Sequence, residues 1–474
     1  MILHIVKKEV LENLLSLRFA VTCVICFVVV TASIGILGRE YVDDLYDYNR
    51  NANDHRAELE KQNRPRVVMF AGISVDKPVT PMAIFNKGID DAGRTAKVYG
   101  RREPEYFTKK GRNPVAFLFP PVDLLFFVAV IMSLLAIVFS YDAVSGEHNN
   151  ETLKLMVSYP VSRSAIIIGK WLGGYLCLML PFMSALVAGL LLLFLVVPDM
   201  ALSGVQMARL GLLVVLATLF ISVVYTAGIM VSAATARPSS SITVLLLVWV
   251  LFALVIPNIS PSVAAYFLKP VNIQEIEAGK RKVIDDLGTD MHKRQGEYLR
   301  TQAPGQGRGN PAFRIWRSRL QREQFDTGRR ALENINRNFR LRMEKEIVIT
   351  QWISRLSPLA SLKYAAGALT ETGQREDFTF RAAVDDYLRQ AMGYIYDEQL
   401  ASDEDGFRVR TGLQAEAAWK FDPKQIPSFN YASVRQADLG GAVAAVMVDA
   451  GLLICWNVLF FIAAFVLFVR YDVK

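Results

Sequence analysis

The residues whose types and spacing could do chemistry in this chain lie between Tyr141 and Arg163. This short charged stretch separates two long apolar runs and contains the carboxylates of Asp142, Glu147 and Glu151. Carboxylates can form charge-assisted hydrogen bonds with basic groups. The stretch therefore indicates a small helix that is held by another protein, with Asp142 and Glu147 at its base, where they could pair with basic groups.

A short helix is predicted within this stretch. Asn149 and Asn150 are good helix caps, and Glu151 follows in the first turn, where a carboxylate interacts favourably with the helix dipole. Pro160 ends the helix. Its small apolar face is made by Leu153, Met156 and Val157. The residues alone leave two interpretations open: a knob for a groove on a cytoplasmic partner, or an interfacial helix without a partner.

The elements that must position this stretch are membrane spans. The hydrophobic fraction is 52% and the mean hydropathy +0.27, and only 21% of the residues are charged, so apolar residues are segregated into blocks. Blocks of about 20 apolar residues span a bilayer. The sequence predicts an all-α polytopic membrane protein with six spans, at residues 17–38, 121–140, 166–197, 206–235, 241–259 and 441–470.

Basic residues in the short segments predict the orientation of these spans. Lys7 and Arg18 precede span one, Arg237 lies between spans four and five, and Arg470 follows span six. Such residues collect on the cytoplasmic side. We therefore expect both termini and the loop at 141–165 in the cytoplasm, with the spans in the inner or plasma membrane. The net charge of +8 has the same explanation, and no nucleic-acid partner is expected.

Residues 1–16 are predicted to form a cytoplasmic interfacial helix. Its apolar side chains fall roughly on one helical face and its charged ones elsewhere, which suits a helix lying at the membrane surface. The alternative is a helical extension of span one.

Two external regions are expected, at 39–120 and 260–440. The first should combine a polar helix over Tyr41–Gln62 with a strand over Arg66–Phe70, and the second should be mostly helical. Its candidate helices cover residues 273–300 and 313–356, separated by a Gly- and Pro-rich break. One face of the second helix is basic, and it is expected to be solvated or to contact anionic lipid or an acidic ligand; it carries Arg314, Arg317, Arg319, Arg322, Arg329, Arg330, Arg337, Arg340 and Arg342.

Several polar residues near or within the spans carry separate predictions. Asp123 and Asp449 fall near the outer interface and are expected to be boundary charges. Asn457 lies deeper in span six and should cross-link helices by hydrogen bonding. The acidic run at 403–405 is expected to be a solvated loop.

Enzyme signatures are absent from the sequence. There is no H-E-x-x-H, G-x-S-x-G or phosphate-binding G-x-x-x-x-G-K-[ST] motif, and the four histidines are scattered. The four cysteines lie in apolar runs and are expected to be membrane-helix residues, including the pair Cys23 and Cys26. We expect no catalytic residue, metal or cofactor in this chain.

The loop resembles the coupling-helix region of type-2 ABC exporter (ABC-2) permeases. The resemblance rests on Asp142-x-x-Ser-Gly-Glu147, Glu151-Thr152-Leu153, Ser158-x-Pro160-Val-Ser-Arg163 and Gly169-Lys170. The chain departs from the family pattern at Glu151, where the family usually has Gly. The layout of six spans with a large external insertion is similar to the copper-enzyme-maturation and gliding-motility permeases.

The resemblance implies a membrane subunit that dimerises with itself or a close homologue and receives two cytoplasmic ABC ATPase subunits. ATP and Mg²⁺ would be bound by those subunits. The residues implied in coupling are Asp142, Gly146, Glu147, Glu151, Thr152, Leu153, Met156, Pro160 and Arg163.

Two functions from different classes follow from these observations. The first is an export permease that moves a substrate out across the membrane. The alternative is a force-transmitting or scaffolding protein that acts on an external partner without translocation, which the large external region motivates. An ATP-independent channel or carrier lacks support, because no series of buried charges suggests ion coupling.

Overall fold

The computed structural model describes residues 2–89, 95–100, 102–107, 121–152, 162–197, 202–268, 272–302, 304, 307, 309–410, 420–431 and 439–470. Of the described residues, 83% are helical, which confirms the predicted fold class. Within those ranges, six helices are long and apolar enough to cross a membrane.

The six spans are bounded as follows. Span one is the start of the helix Leu17–Glu60, span three is Arg163–Val196, span four is Gly204–Ala234 and span six is Leu439–Arg470. The other two contain a π-helical segment. Span two comprises Leu124–Phe126, Phe127–Met132 and Ser133–Ser140, and span five comprises Pro238–Val250, Leu251–Val255 and Ile256–Phe267.

The N-terminal helix α1, Ile2–Leu14, is separate from span one. Ser16 caps the next helix, because its side chain accepts a hydrogen bond from the Phe19 amide. A separate N-terminal helix is therefore present and the alternative of a continuous extension of span one is wrong, while the position of this helix at the membrane surface stays a prediction. Helix α1 packs along span three.

Span one does not end at the membrane surface. Its helix runs for 44 residues, which is about 66 Å of helix and roughly twice the hydrocarbon thickness. The polar helix expected over Tyr41–Gln62 is the outer half of this same helix. No proline interrupts the segment, and Gly38 lets it pass close to Leu193 of span three, where an added Cβ would lie 3.1 Å away.

Span four is the centre of the membrane bundle. In its most apolar window 67% of the residues are buried, against 11% in span five. Close approaches to its neighbours explain this burial: a Cβ added at Gly228 would overlap Ser140 of span two. Asn457 of span six accepts hydrogen bonds from Ser222 (2.9 Å) and Thr226 (3.1 Å), which confirms its predicted role between helices.

The segment between spans one and two, predicted to be external, is built around a small sheet. Helix α2, Pro65–Ala71, is followed by the strands β1 (Ile73–Asp76), β2 (Thr95–Val98) and β3 (Glu105–Phe107). They pair antiparallel in the order β1-β2-β3, with Ile73 opposite Val98 and Thr95 opposite Phe107. The strand predicted over Arg66–Phe70 is wrong: Pro65 at the first helical position starts a helix there.

The segment between spans five and six, predicted to be external, is helical, as predicted. Helices α4 (Ile273–Thr301) and α5 (Pro311–Ser354) form a hairpin, and α6 (Pro358–Thr370) and α7 (Gln374–Arg410) follow. Helix α3 is the short Ser145–Asn149 of the loop between spans two and three. Helix α6 packs on spans four and six, and α7 packs on α2, α5 and the sheet.

Part of the basic face of α5 is paired with acidic residues of α7, so the face is not simply solvated. Arg314 pairs with Asp403 at 2.5 Å, Arg319 with Glu404 at 2.8 Å, and further pairs join Arg322 to Asp397 and Arg329 to Asp385. The acidic run at 403–405 is likewise part of a helix, so its prediction as a solvated loop is wrong. The two charged stretches are complementary faces of one helix pair.

The two predicted boundary charges are buried and have partners. Asp449 is 1% exposed, and its carboxylate accepts hydrogen bonds from Nε (2.7 Å) and Nη2 (3.1 Å) of Arg355. Asp123 caps the start of span two through the Phe126 amide at 2.7 Å and also accepts from the Lys87 amide at 3.0 Å. Each carboxylate thus joins a span to an external element, which simple boundary charges would not do.

Candidate coupling site at the cytoplasmic loop

The loop that follows span two is attached to span one by an ion pair. The Asp142 carboxylate receives two hydrogen bonds from the Arg18 guanidinium, at 2.8 and 3.0 Å. Arg18 also donates to the Tyr141 hydroxyl at 3.0 Å and lies over its ring at 5.1 Å. Paired, bidentate contacts of this kind fix orientation as well as distance. The start of the loop is therefore held against the N-terminal end of span one.

A second attachment joins the loop to span four. The hydroxyl of Ser232 is fully buried and accepts hydrogen bonds from the backbone amides of Val144 (3.0 Å) and Ser145 (3.1 Å). These two amides begin α3, where helix N–H groups lack partners within the helix. Ser232 thus fixes the position at which the loop leaves the membrane.

The third attachment is a buried cation between two carboxylates. Lys170, in the second turn of span three, is 5% exposed and lies 2.8 Å from Glu147 of α3 and 2.7 Å from Glu9 of α1. Two glycines make room for α1 here: a Cβ at Gly169 would lie 2.7 Å from Ile5, and one at Gly173 would lie 2.7 Å from Glu9. The loop, α1 and span three therefore meet at one lysine.

The polypeptide turns sharply after α3. Asn149 is the last residue of this helix and Asn150 its C-terminal cap, and Glu151 has the left-handed φ of +58°. The prediction that the two asparagines begin a helix with Glu151 in its first turn is therefore wrong. A left-handed residue is the usual way for a helix to end, and glycine adopts it without strain. The glycine of the family pattern stands at the position that requires this conformation.

Thr152 lies against Glu147 and binds it by hydrogen bonds. Its hydroxyl donates to the Glu147 backbone carbonyl at 3.2 Å and also to the Glu147 carboxylate. Gly146 keeps this turn narrow, because an added Cβ would lie 3.3 Å from the Asp142 Cβ.

The remaining predicted residues divide into two groups. Arg163 begins span three and donates a hydrogen bond to the Val469 carbonyl in the last turn of span six. Leu153, Met156 and Pro160 lie outside the described residues, so the apolar knob stays a prediction. Of the nine predicted residues, the structure brings Asp142, Gly146, Glu147 and Thr152 together, and places Glu151 at the turn beside them.

Sequence reasoning missed the partners of the acidic residues. Glu9 and Ser232 were not predicted as partners, Arg18 entered only the prediction of orientation, and Lys170 entered only the family motif. A charged residue placed within an apolar run is the signal that could have found Arg18 and Lys170, because a buried charge needs a partner. Ser232 carries no comparable signal in the sequence.

The arrangement can transmit displacement. Asp142, Ser145 and Glu147 are each attached to a different span, over six residues of chain. A group that pushes or pulls on this loop therefore loads spans one, three and four together.

Comparison with known proteins agrees with this geometry. A family model described as ABC-2 family transporter protein matches residues 3–473. The chain belongs to the ABC-2 transporter family. It is therefore a multi-pass membrane protein of the ABC transporter class, which confirms the resemblance found in the loop.

Two curated relatives are similar over part of the chain. A probable ABC transporter permease protein NosY of Stutzerimonas stutzeri is 32% identical over 125 residues, which are 26% of this chain and 45% of the relative. A probable ABC transporter permease protein NosY of Pseudomonas aeruginosa is 35% identical over 69 residues, 15% of this chain and 25% of the relative. The chain thus spans less than half the length of the curated relatives it matches.

Proposed function

We propose that this chain is the permease subunit of an ATP-driven exporter, and that its loop around Glu147 receives a cytoplasmic ABC ATPase. In this proposal the termini lie in the cytoplasm, the spans lie in the inner or plasma membrane, and the chain moves a substrate outward. ATP and Mg²⁺ belong to the ATPase subunits.

One observation carries the proposal: the ion pairs that join the family's loop residues to the membrane bundle. Glu147 is paired with a lysine that is 5% exposed, and the same lysine holds α1 through Glu9. A loop that only re-enters the membrane needs no such attachment. An attachment to three spans is what a coupling element requires, because force applied at the loop must reach the spans without being lost in bending.

The second subunit of the dimer would pack on the exposed apolar spans. Span five is the least buried span, and Leu247 is 68% exposed on it. Apolar side chains that face lipid need no protein partner, but the path for a substrate in this proposal lies between two protomers. A second copy, or a close homologue, would supply the other wall.

Purification with the ATPase tests the proposal. The chain and its cognate ATPase are co-expressed, and ATP turnover of the purified complex is compared between the natural chain and Glu147→Gln. We expect the variant to lose most of its turnover, because the loop is no longer paired with Lys170. Glu12→Gln is the matched control, since Glu12 lies in α1 and forms only an exposed pair with Lys8.

Two results would contradict the proposal: a purified chain that carries no ATPase, or equal turnover in Glu147→Gln and the natural complex. Unchanged turnover in Glu12→Gln would show that removing an unrelated carboxylate on the same side of the membrane has no effect. The loss in Glu147→Gln would then be specific to Glu147.

A force-transmitting function is the second candidate, and the Arg355–Asp449 pair favours it. This pair and the packing of α6 on span six connect the external helices directly to the bundle. Leu287 of α4 contacts Gly328 of α5, so a variant with a short turn in place of residues 288–327 removes the far end of this hairpin. Transport of an identified substrate should persist in that variant if the chain is an exporter. Action on an external partner should be lost if it transmits force.

A further inference from the structure

A cavity of about 1040 Å³ lies at the outer ends of the spans, on the opposite side of the membrane bundle from the cytoplasmic loop. It is at the upper end of the roughly 300–1,000 Å³ typical of small-molecule sites. Its walls come from spans two, four, five and six, and from external helices α5, α6 and α7. The cavity therefore extends across the boundary between membrane and water.

The membrane half of this cavity is apolar. Its lining includes Leu125, Phe126 and Ala129 of span two, Trp249 and Leu254 of span five, and Ala445 of span six. The Trp249 ring is held in place, because its Nε1 donates to the Ser133 hydroxyl at 2.9 Å. This half can bury hydrocarbon but offers few hydrogen bonds, so it suits an acyl chain.

The outer half is lined by charged residues, and its acids already have partners. Asp449 is paired with Arg355, and Glu371 is paired with Arg209. The Glu376 carboxylate accepts a hydrogen bond from the Tyr431 hydroxyl at 2.5 Å. These contacts leave the carboxylates little capacity for a ligand.

Two basic residues of the outer half differ from those acids. Lys363 of α6 and Arg375 of α7 line the cavity and are exposed, and neither forms an ion pair with another residue in the described part of the chain. Cations at the water side of an apolar cavity attract a negatively charged head group.

We propose that this cavity binds one phospholipid-like amphiphile, with its acyl chain between spans two, five and six and its anionic head group on Lys363 and Arg375. The amphiphile would enter from the outer leaflet. The ligand class follows from the two cations in the outer half of the cavity and from the apolar walls of its membrane half. The proposal goes beyond ATP-driven export, because binding requires neither the ATPase nor transport.

Photo-crosslinking of lipid to the purified full chain tests the proposal. The chain, without ATPase, is placed in nanodiscs with phosphatidylglycerol or phosphatidylcholine that carries a diazirine at the acyl end, and labelled peptides are mapped by mass spectrometry. We expect labels on residues 125–129 and 249–254, and more from phosphatidylglycerol than from phosphatidylcholine.

Two variants separate the head-group contact from the acyl contact. Lys363→Glu with Arg375→Glu should lower phosphatidylglycerol labelling about tenfold, since tenfold corresponds to about 1.4 kcal/mol of binding free energy; phosphatidylcholine should change little. Arg342→Glu with Lys345→Glu, exposed on α5 outside the cavity, is the charge control. Gly441→Leu should lower labelling by both lipids, because Gly441 lines the cavity with open space around it.

Gly451→Leu is the control for the bulk added to span six, since Gly451 also has open space but does not line the cavity. Equal labelling by both lipids in the natural chain would overturn the head-group assignment. Labelling that is unchanged by Gly441→Leu would overturn the acyl site. This test does not depend on whether the double charge variant folds. A loss of ATP turnover in Glu147→Gln would not affect the labelling result, because labelling is measured on the chain without the ATPase.

Discussion

Glu147 and Lys170 lie 2.8 Å apart, and the lysine is almost wholly removed from solvent although it carries a charge. Glu9 completes the site from the other side at 2.7 Å. Burying one charge without partners costs several kcal/mol, so the three residues depend on one another. The loop between spans two and three is thereby attached to α1 and span three.

Lys170→Met should destabilise the folded chain. Removing the cation leaves two partly buried carboxylates without their partner, and breaking such a buried pair costs about 3–5 kcal/mol. We expect a lower melting temperature in detergent, measured by fluorescence-detected size-exclusion chromatography after heating. Lys8→Met removes an exposed lysine of α1 and should change the melting temperature little. Equal melting temperatures for the two variants would show that Lys170 is not part of a buried network.

Glu151→Gly should preserve or raise stability. A non-glycine residue at φ +58° pays a strain of about 1 kcal/mol that glycine does not pay. Glu371 has the same φ but is paired with the buried Arg209, so Glu371→Gly should be destabilising despite the same relief of strain. The two melting temperatures are compared with that of the natural chain. A fall for Glu151→Gly would mean that its side chain, rather than its backbone conformation, matters at the turn.

Arg355→Met should loosen the external helices from span six. Asp449 is 1% exposed and would be left buried without its cation, at a cost of about 3–5 kcal/mol. Hydrogen exchange of α6 and of the outer end of span six should increase. Arg294→Met, which removes an arginine from an exposed pair with Glu323, should leave exchange in α6 unchanged. An unchanged α6 in Arg355→Met would contradict an anchoring role for the pair.

The outer end of the span-one helix should respond to pH. His55 lies about 25 Å beyond the apolar part of that helix and 2.8 Å from Asp76 of β1. The hydrogen bond to Asp76 raises the pKa of the His55 imidazole, although burial lowers it. The stabilisation is therefore fully present below the unfolded pKa of about 6.5 and is lost as the pH rises through the folded pKa.

Hydrogen exchange of β1, corrected for the intrinsic effect of pH, should consequently be faster at pH 9 than at pH 6. His55→Gln should remove this difference, while His292→Gln, at an exposed position of α4, should retain it. A pH dependence that survives His55→Gln would assign the effect to another group.

The sequence predicted much of what depends on local pattern. Apolar blocks placed the six spans, and the polar Asn457 in an apolar helix correctly indicated a contact between helices. The family motif placed the loop. Two errors concern where helices begin and end: Pro65 starts a helix in place of a strand over Arg66–Phe70, and Asn149 ends a helix instead of beginning one.

The partners of charged residues were the least predictable part. The arginines of α5 were expected to be solvated or to contact anionic lipid or an acidic ligand, and the acids at 403–405 were expected to be solvated. The two sets nevertheless face each other, although about 85 positions separate them along the chain. Periodicity describes one helix at a time and carries no information on which helix packs against it. Lys170 and Glu9 are a similar case, because 161 positions separate them.

The central claim is that ion pairs carry force from the ATPase through the loop to the spans, and a charge exchange between Arg18 and Asp142 tests it most directly. Both side chains are partly exposed, at 37% and 27%, so reversed charges can be accommodated. ATP turnover of the purified complex is measured for Arg18→Asp, Asp142→Arg and the double variant. The account predicts loss in each single variant and recovery in the double. Full turnover in the single variants, or no recovery in a folded double variant, would contradict it.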